Sequence, residues 1–369
     1  MTTRRLLSTG LTAIAVLASI PRGALRAQPV TMLGSVSDSE GVRIAGALVV
    51  ALDANGDLVA RALSGRTGAF TLRLPVANTV VLHALRAGFE PSAATIVTGT
   101  ARAEAIALTA SMTPVRISSD KSRQRNVCGT PRDTASDVTR LWEEARKVLA
   151  STRLNFGDAD VSAHIVFSDR RTSRDGKTVL EERVREGDVA ARRPFVSLPP
   201  DSVANAGYVI ETADDASYYA PDAEVLLSGR FGDSHCFGVQ SPPAAHADWI
   251  GLSFKPKSER VGVKDISGTL WFDRSTLALR RLEYRYTNVP TAFLSTAVGG
   301  ELAFARLPQG VWIISHWEVR MPQGEIQSRL ALQHSQVREQ HQVTVESLRV
   351  SGGTVTRVTI GDATVPVPF

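Results

Sequence analysis

Most of the side chains able to do chemistry lie between Tyr218 and Trp249: Tyr218, Tyr219, Asp222, His235, Cys236, His246 and Asp248. His235, His246 and Asp248 are of the types that ligate a divalent cation or move protons, and in that form they would make a metal-dependent hydrolase. A cysteine beside a histidine in an exported chain also marks a disulfide, so the simpler reading is a loop stapled through Cys236. Cys128 is the only other cysteine.

Other catalytic patterns are missing. A zinc peptidase needs H-x-x-E or H-E-x-x-H, whereas His316-Trp317-Glu318 has the wrong spacing and no other histidine has Glu three residues on. Gly251-Leu252-Ser253 is followed by Phe254-Lys255, which is not a nucleophile elbow. No phosphate-cradling glycine motif appears, so no cofactor is implied. His334 and His341 read as surface residues.

The remaining binding chemistry is aromatic. Trp249, Trp271, Trp312 and Trp317 fall on or near expected strands, and with Tyr218, His235 and His246 they are the candidate ligand contacts. Strict alternation along 311–321 puts Trp312, Ile314 and His316 on one face and Ile313, Ser315 and Trp317 on the other. Stacking on sugar rings or lining an apolar pocket would use such rings, although core packing is their commoner task.

The elements that position these residues are mostly strands. The start, MTTRRLLSTGLTAIAVLASIPRGALRAQ, has Arg4 and Arg5, an apolar run from Leu6 to Ile20 and small residues before a cut after Ala27, which predicts an export signal over 1–27. Its run is shorter than the ~20 residues of a membrane span, and no later stretch is long and apolar enough to span. Without its four arginines the formal charge falls from +5 to 5 − 4 = +1, which excludes a generic nucleic-acid binder. Export places Cys128 and Cys236 where they pair.

Seven short strands are expected over 28–111, with Asn55-Gly56 as a two-residue hairpin turn and SGRTG, residues 64–68, as another. A linker follows over 112–133. The domain at 134–369 opens with a helix capped by Thr134 and Asp137, with Val138, Leu141, Trp142, Ala145, Val148 and Leu149 on one face and Glu143 and Lys147 paired on the other. Residues 220–231 read as one short helix with Pro221 in its first turn, and the rest as an antiparallel meander. The fold class is therefore mainly β: a Greek-key, transthyretin-like sandwich, then a larger curved antiparallel sheet with one or two helices.

Two resemblances add to this. The order G34-S-V, G46-A-L-V-V-A-L, N55-G-D, T67-G-A-F-T-L and A87-G-F-E resembles the carboxypeptidase regulatory-like domain. That resemblance implies a carbohydrate-binding-like sandwich in which the glycines serve turns and Phe70 is core. GTLWFDRSTLALRRLEYRY, residues 268–286, is similar to a hairpin of the periplasmic lipoprotein-carrier half-barrel. An outer-membrane barrel is disfavoured by 6% aromatics and by Pro366 and Pro368 in the last strand.

The expected function is that of an exported, non-enzymatic binding protein of the periplasm or cell surface. A glycan is the first ligand implied and an envelope protein a possible partner. The alternatives are a carrier of lipid or another apolar molecule in a half-barrel, and a hydrolase built on His235, His246 and Asp248.

Overall fold

The computed structural model describes residues 30–74, 79–87, 89, 92–98, 104–108, 126–133, 136–152, 161–190, 195–212, 215–308, 310–333, 336–360 and 363–368, with 104–108 and 325–343 as backbone. The expected signal peptide, most of the expected linker, and Thr134 lie outside them.

All seven expected N-terminal strands form: β1 (Val30–Asp38), β2 (Leu48–Leu52), β3 (Leu58–Leu63), β4 (Ala69–Leu74), β5 (Thr79–Leu85), β6 (Thr95–Thr98) and β7 (Glu104–Leu108). They make two sheets, β4-β1-β7 and β3-β2-β5-β6, with β7 parallel to β1. Met32, Val36, Val49, Phe70, Leu72 and Leu82 fill the space between. Alternation put Phe70, Leu72 and Leu74 inward on β4, as their burial shows. Asn55-Gly56 is not a two-residue turn: Gly56 alone takes positive φ, and Asp53 closes a longer loop by accepting the amides of Asn55 and Asp57 at 2.8 and 2.9 Å.

The larger part begins with β8 (Val127–Cys128), α1 (Asp137–Thr152), β9 (Val161–Thr172) and β10 (Val179–Val189). Short elements follow: α2 (Pro200–Ala206), β11 (Val209–Glu211), β12 (Ala216–Tyr218), α3 (Ala223–Leu227) and α4 (Gly229–Ser234). Then come β13 (His235–Gln240), β14 (Trp249–Pro256), β15 (Ile266–Asp273), β16 (Leu279–Tyr286), α5 (Thr291–Leu294), β17 (Gly299–Arg306), β18 (Trp312–Gln333), β19 (Gln336–Ile360) and β20 (Ala363–Pro366). One antiparallel curved sheet runs β10-β9-β19-β18-β17-β16-β15-β14-β13-β8, with β20 beside β19. Within the expected meander the alternation predicts separate strands at Val311–Met321, Ile326–Leu332, Gln342–Val350 and Thr354–Ile360, with breaks after Met321 and Val350; the four merge into β18 and β19. The last partner of β17 on β18 is Arg320, so beyond it β18 is an edge strand, where Pro322 is tolerated. Pro366 likewise closes a short edge pairing with Arg357.

Helix α1 fills the concave side. Val138, Leu141, Trp142, Ala145, Val148 and Leu149 pack on the sheet, with the Trp142 and Phe237 rings 4.8 Å apart. Its other side is not solvated as expected. Glu143 pairs with Arg146 at 3.0 Å in solvent, whereas Lys147 pairs with Glu144 at 2.7 Å in a buried site and donates to the Phe89 carbonyl at 2.8 Å. The sandwich thus covers α1.

A second contact joins the two parts where Gly46 meets Gly310 backbone to backbone. Gly46 has φ +67, and a Cβ there would lie 2.0 Å from the Gly310 carbonyl oxygen. Gly46→Ala is therefore expected to cost more than about 1 kcal/mol and to expose this seam to protease. Equal unfolding midpoints and digestion patterns for wild type and variant would contradict the contact.

Candidate functional site

The structure separates the residues that sequence reading grouped. His235 starts β13 and is 2% exposed. Its Nδ1 lies 2.9 Å from the Phe231 carbonyl and 3.0 Å from Ser234 Oγ, while Nε2 lies 3.3 Å from the Ile266 carbonyl and 3.5 Å from Asp265 Oδ1. Phe231 stacks on its ring at 4.1 Å. Both nitrogens face protein partners, and the ring lines a small pocket of about 300 Å³ with Phe231, Arg260 and Asp265. His246 belongs to the far end of the β13–β14 hairpin, whose register runs from His235↔Pro256 to Gln240↔Gly251, about 17 Å along a strand. Asp248 is exposed in the turn before β14. The three do not assemble, and no group of His, Cys, Asp and Glu suited to a metal ion occurs among the described residues.

Asp222 is a helix cap, accepting the amides of Glu224 and Val225 at 2.9 and 3.0 Å. The single helix expected over 220–231 is two, α3 and α4, because Ser228 takes an extended ψ of 141 and caps α4. Cys236 and Cys128 are directly opposed on β13 and β8 and form the disulfide.

Burial would raise the Asp265 carboxyl, but His235, the Ile266 amide and Arg260 outweigh it and hold the group below its ordinary 3.8. A carboxylate depressed in the folded state stabilises above its unfolded pKa and loses that contribution as pH falls through the folded value. Denaturant unfolding between pH 6 and pH 2, to cite about the range over which carboxylates titrate, is expected to show a shallower acid decline in Asp265→Asn than in wild type. Parallel curves would remove Asp265 from the account.

The tryptophans divide between the two faces of the sheet. Trp249 and Trp271 sit 6.3 Å apart on the convex face, His246 stacks on Trp249 at 3.9 Å, and Trp271 Nε1 donates to Glu283 at 3.0 Å. Arg281 bridges Glu283 and Glu301 at 3.7 and 3.6 Å. Trp312 and Trp317 do not lie on opposite faces. A bulge at Ser315 shifts the register from Ile314↔Phe304 to His316↔Ala303, which returns Trp317 to the concave side with Trp312. There Trp317 meets Phe195 at 5.5 Å and Phe167 at 6.2 Å.

Tyr218 lies apart from all of these, in a cleft of about 910 Å³ between the β11–β12 hairpin, α5 and the proximal part of β18–β19. Phe293, Met321, Val345 and Tyr219 give it apolar surface, and Arg349, Glu211 and Asp215 give it charge. The Tyr218 ring packs edge-on against Tyr286 at 5.4 Å. Burial, then Glu211 and Asp215, push its phenol up to about 12, so it is neutral at any ordinary pH. Sequence reading missed Phe293, Met321 and Arg349, because nothing local marks a residue that one strand brings beside another 28 positions away, as the register Met321↔Arg349 does.

Residues 31–113 match the family model described as carboxypeptidase regulatory-like domain. The N-terminal sandwich is a carboxypeptidase regulatory-like domain. Its SGRTG stretch does only what that resemblance implied. Gly68, at φ +73, packs where a Cβ would lie 2.5 Å from the Val36 carbonyl, and Phe70 behind it is core. The regulatory-like domain covers the front of the chain only. A crystal structure of a DUF1329 family protein from Desulfovibrio piger is 11% identical, covers 59% of this chain and 91% of that one, and superposes with a TM-score of 0.27, a likeness too slight to carry an argument. No curated protein matches the chain. No helix among the described residues is long and apolar enough to cross a membrane.

Proposed function

We propose that this is an exported binding protein that holds an apolar or amphipathic molecule in the cleft beside Tyr218, with the regulatory-like domain as a fixed scaffold. The observation that carries this reading is the cleft, whose volume of about 910 Å³ and mixed lining match a small-molecule site. Export is supported by the residue pattern over 1–27 and by the Cys128–Cys236 bridge, which belongs to oxidising compartments. A glycan on the regulatory-like domain has less support. Residues 28–111 hold two aromatics, Phe70 and Phe89; the first is 3% exposed and the second partly buried, so neither offers an open ring for stacking.

The test uses the neutral apolar fluorophore N-phenyl-1-naphthylamine and mass spectrometry of protein purified without detergent. Saturable fluorescence enhancement is expected, weakened at least about tenfold in Phe293→Asp, a loss in line with placing one charge in an apolar contact. An absence of saturable signal, together with retention on a glycan array that Trp249→Ala abolishes, would replace the cleft with the convex face.

A further inference from the structure

Three cross-strand rows on the concave face beside the cleft change character in the same direction. They run Trp317, Gly353, Phe167, Arg185; then Val319, Ser351, Asp169, Arg183; then Met321, Arg349, Arg171, Glu181, across β18, β19, β9 and β10. Residues two apart on a strand share a face, so these twelve positions form one surface. Its β18 side is apolar. Its β9–β10 side is charged. Trp317 lies over Gly353 and closes the upper row, whereas Met321 and Arg349 in the lowest row line the cleft.

The charge on this surface is not balanced. Arg171, Arg183, Arg185 and Arg349 stand against Asp169 and Glu181, an excess of two cations among these twelve positions, while the adjoining cleft carries Asp215 and Glu211, the latter paired with Lys264. Arg349 holds Asp169 through two bonds of 3.1 and 2.7 Å, and Arg171 holds Glu181 at 2.5 Å. Both carboxyls sit below the ordinary range, Asp169 chiefly through the Arg349 bond and Glu181 chiefly through Arg171. Neither gives up its charge near neutrality, and neither neutralises Arg183 and Arg185 as well. Arg185 lies 5.3 Å over the Phe167 ring, bringing a cation to the boundary with the apolar column.

From this surface we infer that the ligand is an anionic amphiphile, its acidic head on the Arg183–Arg349 side and its chain along Met321 and the cleft. The inference rests on the proposed cleft reading and adds the sign of the head group. Planar guanidinium groups suit carboxylate and phosphate alike, so the shared chemistry is a compact oxyanion joined to an alkyl chain.

Displacement of N-phenyl-1-naphthylamine separates the possibilities. Dodecanoate and dodecyl phosphate are expected to displace it about tenfold more tightly than dodecanol, in keeping with one charge-assisted hydrogen bond, and dodecyltrimethylammonium to bind weakest. Added salt should erase the difference. Arg183→Gln and Arg349→Gln should each cut the affinity of the two anions severalfold and leave dodecanol unchanged; both residues are exposed, so the fold survives. A preference for one anion over the other identifies a free acid or a phosphate ester as the source. Equal displacement by dodecanoate, dodecanol and the cation, or equal effects of the variants on all three, would overturn the charge assignment and leave the cleft. No binding of the fluorophore or of any chain would remove both. Displacement by inorganic phosphate alone would overturn the amphiphile in favour of a simple anion.

Discussion

Replacing Glu144 by Leu is expected to lower stability by about 3 to 5 kcal/mol and to split one unfolding transition into two. Glu144 and Lys147 are 2.7 Å apart with side chains 5% and 8% exposed, and Arg86 reaches the same seam at 7%. Burial, reinforced by Arg306, lowers the Arg86 guanidinium to about 9, and Glu144 acts in the opposite sense. Removing that carboxylate takes the counter-charge from two buried cations, Lys147 and Arg86, and an uncompensated buried charge is far more costly than an absent pair. The damage falls on the contact between the regulatory-like domain and α1. The domain should therefore come away before the larger sheet melts. The triple variant Arg86→Leu, Glu144→Leu, Lys147→Met removes the charges together and should recover most of the loss, since apolar replacement of a buried ion cluster is often neutral. Calorimetry decides it: a single transition at the wild-type midpoint in Glu144→Leu would mean that water reaches the seam and screens these charges.

That seam also shows where sequence reading stopped. The strands of the regulatory-like domain were legible because each is short, alternates and ends in turn residues, so its fold is decided locally. The apolar stripe of α1 was legible for the same reason. Its second contact was not, because Glu144 and Lys147 look solvated until another domain is laid over them. Alternation along β18 failed at Ser315, since a bulge needs the partner strand to be visible. Met321-Pro322 and Gly352-Gly353 read as breaks, yet β18 and β19 run through both, the first as an edge and the second beneath Trp317, where a Cβ on Gly353 would lie 2.3 Å from the ring. Of the expected ligand contacts only Tyr218 lines the cleft. The others are core, or a stacked group on the convex face. Rings and histidines are conspicuous in a sequence, whereas a binding surface made of Met, Val, Ser and Arg on four strands acquires meaning only from their register.

Loss of the Cys128–Cys236 bridge should have an effect of similar size, reached by a different route. The bond spans 108 residues, and the chain-entropy model assigns closure of such a loop about 4 to 5 kcal/mol through restriction of the unfolded chain. At about 2 to 4 °C per kcal/mol for domains of this size, the double variant Cys128→Ala, Cys236→Ala should melt roughly 10 to 15 °C lower. The native side of the balance is small: β8 has two residues paired with β13 at the end of the sheet, so its own hydrogen bonds do little to keep it there. Reduction of the wild type should reproduce the variant's midpoint, and unfolding should accelerate at the β8–β13 edge, read by amide exchange at Val127 and Phe237. A fall of less than about 2 °C, well under the loop-closure value, would show that the unfolded chain already keeps these two segments together. The helices between them, with Trp142 seated on Phe237, are the part of the chain able to do so, and Trp142→Ala in the reduced protein would then restore the missing destabilisation.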